Sequence, residues 1–210
     1  MTCARRSPAM YPTPRHGSCR PWSSISVSNG SAISAACGCL VGARVRIKLF
    51  GAGPIHDETR AICERRGHTI VDQRPYELIV LANVTRILKA PEIAEAGLGV
   101  LCFHPSLLPR HRGGDAVYWT FKMGDTETGV TWFWVDEGID TGPIAIQGTV
   151  PIPAESSPGK LYYETLVPLG ARLFDALLAQ LERGERPSTV QDESRATYEP
   201  LRPPKPQPQS

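Results

Sequence analysis

The sequence predicts an α/β fold: a mostly parallel sheet flanked by helices, with a C-terminal β-hairpin and a long helix. Three observations carry this. Short β-rich runs alternate with helix-patterned segments over residues 45–103, an aromatic run and a second strand make a hairpin pattern over 129–152, and a leucine stripe at helical spacing follows Ser157-Pro158.

Residues 45–50 (VRIKLF) read as the first strand, which meets Gly51-Ala52-Gly53-Pro54; Asp57 then offers an N-cap to a helix that Gly67 closes. Residues 68–71 form a second strand, and 77–82 (ELIVLA) a third that is apolar enough to be buried on both faces. A short helix follows over 91–96, then a strand over 98–103 that runs into His104. In parallel sheets covered by helices, ligands gather beyond the carboxyl ends of the strands, where His104 falls. The Gly51-Ala52-Gly53 turn lacks the third glycine of a dinucleotide-binding fingerprint and is read as a tight turn out of the first strand.

Gly113-Gly114 turns the chain, Asp115 caps a helix reaching Lys122, and Gly124 ends it. Residues 129–135 (GVTWFWV) are apolar on both faces and predict an internal strand. An acidic, glycine-rich loop (DEGIDTGP, 136–143) joins it to a return strand over 144–152. Ser157-Pro158 opens the last helix, with Leu161, Leu166, Leu169, Leu173, Leu177 and Leu181 on its apolar stripe, a kink expected at Pro168 and Gly184 past its end.

Composition sets the limits. With 41% hydrophobic and 21% charged residues, a chain of 210 residues supports one packed domain, taken as 44–198. Residues 1–43, rich in Ser, Arg, Pro, Gly and Cys and without hydrophobic period, are expected to be a disordered extension, and 199–210 a proline-rich extended tail. A formal charge of +2 argues against nucleic-acid wrapping and membrane-surface adhesion. Six cysteines without repeated spacing argue against a disulfide framework, no run reaches transmembrane length, and a cytoplasmic location is expected.

The stretch FHPSLLPRHRG, 103–113, concentrates the chemistry. A histidine before a proline is held extended, so His104 sits at the strand end facing the crevice. Asp140 lies in a glycine-built loop from which a carboxylate can approach that ring. Such a pair can divide acyl transfer, one group stabilising an oxyanion and the other taking a proton from an amine or water; each residue alone more often fills a hydrogen-bonded structural role. Cys102 admits a nucleophile reading, yet a strand cysteine acts more often as a small apolar residue.

In order along the chain, His104-Pro-Ser-Leu-Leu-Pro109, Arg112-Gly113, Thr128-Gly-Val-Thr131 and Gly138-Ile-Asp-Thr-Gly142 resemble the formyltransferase family that uses 10-formyltetrahydrofolate. The run from His104 to Gly113, with Ala-Thr-Tyr-Glu at 196–199, is most similar to the folate-hydrolase domain of 10-formyltetrahydrofolate dehydrogenase. The resemblance implies a Rossmann-like formyltransferase fold, truncated, because the stretch between the first glycine and His104 is short for the family. It implies that His104 polarises the formyl group and stabilises the oxyanion, and that Asp140 acts as acid/base through a water. It places the pterin in a slot around Leu81, Asn83, Val84 and Ile87 and the loop bearing Val135, Asp136, Gly138 and Asp140. Cys102, where transferases of the family carry Asn, and Ser106, Arg110 and Arg112 are substrate-side candidates, although Arg112 beside glycines more readily serves its own loop.

Three functions follow from the resemblance. The first is transfer of the formyl group from 10-formyltetrahydrofolate to the amine of a small molecule: a sugar nucleotide, a nucleotide precursor or an amino acid. The second is hydrolysis to formate, favoured by Cys102, and the third is folate binding without catalysis. No metal is expected. Low charge and the absence of further domain after residue 200 argue against tRNA, and the aromatic hairpin 132–152 offers a surface for a homodimer.

Overall fold

The structure, a computed structural model, describes residues 44–201; the expectations for 1–43 and 202–210 lie outside them. Strands β1 (Arg46–Gly51), β2 (Thr69–Ile70), β3 (Leu78–Ala82), β4 (Gly99–His104), β5 (Glu127–Trp134) and β6 (Ile144–Pro151) form one sheet in the order β2-β1-β3-β4-β5-β6. The first four pair in parallel, whereas β5 runs antiparallel to both β4 and β6. The apolar run of β3 and the buried run 128–134 of β5 accordingly occupy interior positions of the sheet.

Among the described residues five α-helices accompany the sheet: α1 (Pro54–Arg65), α2 (Ala90–Ile93), α3 (Ala116–Lys122), α4 (Pro158–Leu161) and α5 (Val167–Glu182). Helix α1 starts earlier than the Asp57 cap implied. Gly53 is its N-cap and Pro54 its first residue, a position where a missing N–H costs nothing, and Asp57 sits in the first turn. A Cβ on Gly51, at φ 123°, would lie 1.7 Å from the Ala82 carbonyl oxygen, so β1 and β3 close together only over a glycine. Asp115 precedes α3 in a left-handed conformation (φ 59°) and makes no side-chain cap bond, contrary to the capping expectation. Pro168 falls in the first turn of α5 and the irregularity precedes it as a π turn over Tyr162–Leu166, which joins α4 to α5.

The alternation of the strands divides the buried residues between two faces. Leu78, Val80, Leu101, Phe103, Trp132 and Trp134 join α1 and α5 in the main core. Trp132 is fully buried, packs at 4.7 Å on Phe174 and 5.5 Å on Phe103, and donates its indole N–H to the Gly170 carbonyl at 2.9 Å. Ile79, Leu81 and Val100 face the other way with Tyr76, Leu88 and Ala96, and Val84, Cys102 and Val135 pack against them. Among the described residues no helix is long and apolar enough to cross a membrane.

Candidate active site

His104 ends β4 and pairs across the sheet with Thr131. The loop that follows is fastened from beneath by the Thr131 hydroxyl, which donates to the Ser106 carbonyl at 2.8 Å and accepts from the Leu108 amide and from Gln147 Nε2. Leu108 is buried at 3% exposure, while the Ser106 hydroxyl turns back to the Arg110 carbonyl at 2.7 Å. An apolar anchor and a closed set of hydrogen bonds thus hold the histidine at the mouth of the loop.

The orientation of His104 follows from one bond. Its Nε2 lies 2.7 Å from the His111 carbonyl oxygen, which can only accept, so Nε2 carries a proton and Nδ1 is the ring's remaining reactive atom. Nδ1 lies 3.5 Å from Asp140 Oδ2. The His111 residue that supplies the carbonyl is itself held in a left-handed conformation (φ 58°), and its buried ring reaches Asp125 at 2.7 Å and Glu199 at 3.0 Å.

Asp140 arrives from the loop that leaves β5 at Trp134, opposite Leu101, and doubles back along β4. It too adopts a left-handed conformation (φ 53°), sparsely populated by residues other than glycine. Its Oδ2 accepts the Gly113 amide at 2.7 Å, and its side chain is 18% exposed. In the same loop Asp136 Oδ1 accepts from the Gly138 amide and the Thr141 hydroxyl, and a Cβ on Gly142 would meet the Trp134 carbonyl oxygen at 1.7 Å.

A cavity of about 370 Å³ opens beside His104, lined among others by Asn83, Thr85, Gly113, Asp115, Tyr118 and Tyr162. Asn83 donates its side-chain amide to the Ala52 carbonyl at 3.0 Å, tying the ends of β1 and β3 together at this mouth. The Tyr162 hydroxyl is buried without a partner. A larger cavity of about 530 Å³ lies against residues 107–111, with Asp125, Gln147 and Arg195 in its wall; neither His104 nor Asp140 lines it.

The remaining sequence-derived candidates separate. Leu81, Val84, Cys102 and Val135 meet in the second apolar cluster, on the sheet face from which His104 and Asp140 project. Ile87 stands apart at 61% exposure. Burial pushes the Cys102 thiol well above its ordinary pKa and the Asp140 charge adds to this, so the sulfur is held as a thiol. Arg110 pairs with Asp125 at 2.7 Å. Arg112 is entirely buried and spends its guanidinium on Gln191, Glu193 and Tyr198, so it faces the chain's own C-terminal segment and not the cavity.

That segment is the part of the site the sequence did not reveal. After α5 the chain returns as a strap: Arg112 N–H bonds to Thr197 O, Thr197 N–H to Pro109 O, and Trp119 Nε1 to Pro200 O. Residues 199 and 200, read from sequence as the start of an extended tail, are therefore held, Glu199 against the 104–113 loop and Pro200 against α3. Gln191 and Glu199 carry no periodicity that points to them; the Ala-Thr-Tyr-Glu run at 196–199 was the only signal nearby.

The formyl transferase family model matches residues 58–176. The chain is 39% identical over 123 residues to mitochondrial 10-formyltetrahydrofolate dehydrogenase of Mus musculus, covering 59% of this chain and 13% of that protein. It is 39% identical over 132 residues to the methionyl-tRNA formyltransferase of Syntrophus aciditrophicus (strain SB), covering 63% of this chain and 42% of the relative. The chain thus spans less than half the length of these relatives. HypX from Aquifex aeolicus, solved in complex with tetrahydrofolic acid, superposes with a TM-score of 0.66 at 18% identity, over 76% of this chain and 30% of that one, a likeness of fold.

Proposed function

The chain belongs to the formyl transferase family, and from that premise we propose that it moves a formyl group from 10-formyltetrahydrofolate to the amine of a small molecule such as a sugar nucleotide, a nucleotide precursor or an amino acid. The observation that carries this reading is the His104–Asp140 pair, with Nδ1 and Oδ2 3.5 Å apart and the histidine in the wall of a cavity of about 370 Å³. On the folate side a flat ring would meet Val84, which lines this cavity with Asn83 and Thr85 and packs on the apolar cluster of Leu81, Cys102 and Val135. The folate would supply the formyl carbon; the chain's own groups do the rest.

With Nε2–H committed to the His111 carbonyl, His104 acts through Nδ1. Protonated there, the ring donates to the formyl oxygen as charge develops on it, and the Asp140 carboxylate beside it balances the cation. Asp140 takes the proton of the incoming nucleophile, directly or through a water, and passes it to the folate nitrogen as the bond from that nitrogen to the formyl carbon breaks and tetrahydrofolate leaves; the Gly113 amide keeps the Asp140 Oδ2 aimed at the ring. Hydrolysis to formate is the second reading, favoured by Cys102: a protonated thiol is a weak donor where the family's transferases present an amide.

The test is deformylation of 10-formyltetrahydrofolate, followed by absorbance, with and without a panel of small amines and amino sugars. Turnover that requires one amine supports transfer and names the acceptor class. Equal turnover without amine makes the chain a hydrolase. Folate binding without turnover overturns both readings.

A further inference from the structure

We infer that Gln191 is a positioning residue for Asp140: its side-chain amide ties the loop that carries the carboxylate to the buried guanidinium beneath the histidine loop. The inference rests on the functional reading above for its kinetic consequence, and on geometry alone for its structural one.

Gln191 is 5% exposed, and all four of its amide's hydrogen-bonding positions are used. Oε1 accepts Arg112 Nε at 3.1 Å and Nη2 at 2.7 Å. Nε2 donates to the Asp140 carbonyl at 2.8 Å and to the Gly142 carbonyl at 2.7 Å. Chemistry dictates this orientation, because a guanidinium can only donate and a carbonyl can only accept; the flipped amide would oppose like with like on both sides. Gln191 thereby bridges two segments that do not otherwise share a covalent or ladder connection, the 104–113 loop through Arg112 and the 136–143 loop through its backbone.

The bridge acts where conformational restraint is needed. Asp140 sits in a left-handed conformation that a non-glycine residue does not hold without support, and its carbonyl is one of the two that Gln191 grips. If that grip is lost, the peptide relaxes and Oδ2 leaves both the Gly113 amide and His104 Nδ1. A reacting pair displaced by about 1 Å loses on the order of 100-fold in rate. Gln191 touches neither reacting atom and works only through Asp140.

The decisive variant is Gln191→Glu. Its carboxylate keeps, and strengthens, the contact to Arg112, while an oxygen replaces the donor facing the two carbonyls. The expected result is a fall in kcat of at least tenfold with the KM for 10-formyltetrahydrofolate changed less than threefold and the strap still docked. Adding Gln191→Glu to Asp140→Asn is expected to cost less than twofold further. Wild-type kcat in the glutamate variant, or full multiplicative losses in the double variant, would overturn the inference and leave Gln191 as an anchor for Arg112 alone. Gln191→Met, which adds no charge, serves the same comparison should the glutamate variant fail to fold. Amide exchange at Gly113 reads the geometry without catalysis: at least tenfold faster exchange in Gln191→Glu supports the bridge, and unchanged protection refutes it even where the folate reading itself fails.

Discussion

Replacing Arg112 by methionine removes a guanidinium that is fully buried while keeping most of the volume of its stem. The size of the effect follows from what each partner does afterwards. Gln191 Oε1 loses both of its donors inside a residue that is 5% exposed, which costs about 1–3 kcal/mol. Glu193, whose side chain is 66% exposed, turns to water, so its ion pair is left out of the sum. The lost bond to the Tyr198 hydroxyl adds about 1 kcal/mol, and relief of the buried charge runs the other way. The expected net destabilisation is about 2–4 kcal/mol, read by urea unfolding, with the thermal midpoint lower by about 5–15 °C. Arg112→Lys should recover only part of this, because an ammonium lacks the planar fork that reaches Gln191 and Glu193 together. A loss below about 1 kcal/mol for methionine, or complete recovery by lysine, would refute the assignment of Arg112 as the strap's anchor.

His104→Ala and Asp140→Asn should each lower deformylation by roughly 100-fold or more with little change in thermal midpoint, since both side chains stand at loop mouths outside the main core; unchanged turnover in either would remove the pair from the mechanism. Cys102→Ala should keep turnover within about threefold, because a thiol whose pKa burial has pushed so high is no nucleophile at neutral pH; loss of a hundredfold with folate binding intact would argue for covalent chemistry. His68 Nδ1 accepts the Val45 amide and its Nε2 reaches Glu182, and burial lowers its pKa while Glu182 opposes the shift. The unfolded chain therefore binds the extra proton first, and stability should fall as pH drops from 6.5, the ordinary histidine value, toward the depressed folded one. His68→Gln should flatten that dependence in urea midpoints measured at about pH 7.5 and about pH 5.5; an unaltered slope would assign it to another group.

The sequence by itself determined the order of strands and helices and marked the two loops that bring His104 and Asp140 together. The short continuous apolar runs of β3 and β4 and the leucine stripe of α5 are local patterns, set by strand length and by the 3.6-residue period of the helix, and they read directly. His104 and Asp140 were equally legible, because each lies in a run of prolines or glycines that only an unusual backbone requires, and the left-handed conformation of Asp140 is the physical trace of it. The start of α1 was misjudged, at Asp57 where the cap is Gly53, whereas α3 starts after Asp115 as read although that side chain makes no cap bond. Arg112 could be read as a substrate contact or a loop anchor, and its full burial against Gln191, Glu193 and Tyr198 was decided by tertiary structure alone. The bond from Arg112 to Gln191 crosses 79 residues and that from His111 to Glu199 crosses 88. Polar pairing over such distances has no period along the chain: it depends on the sheet bringing two loops and a returning strap to one place, where burial makes an unmet donor or acceptor too costly to leave.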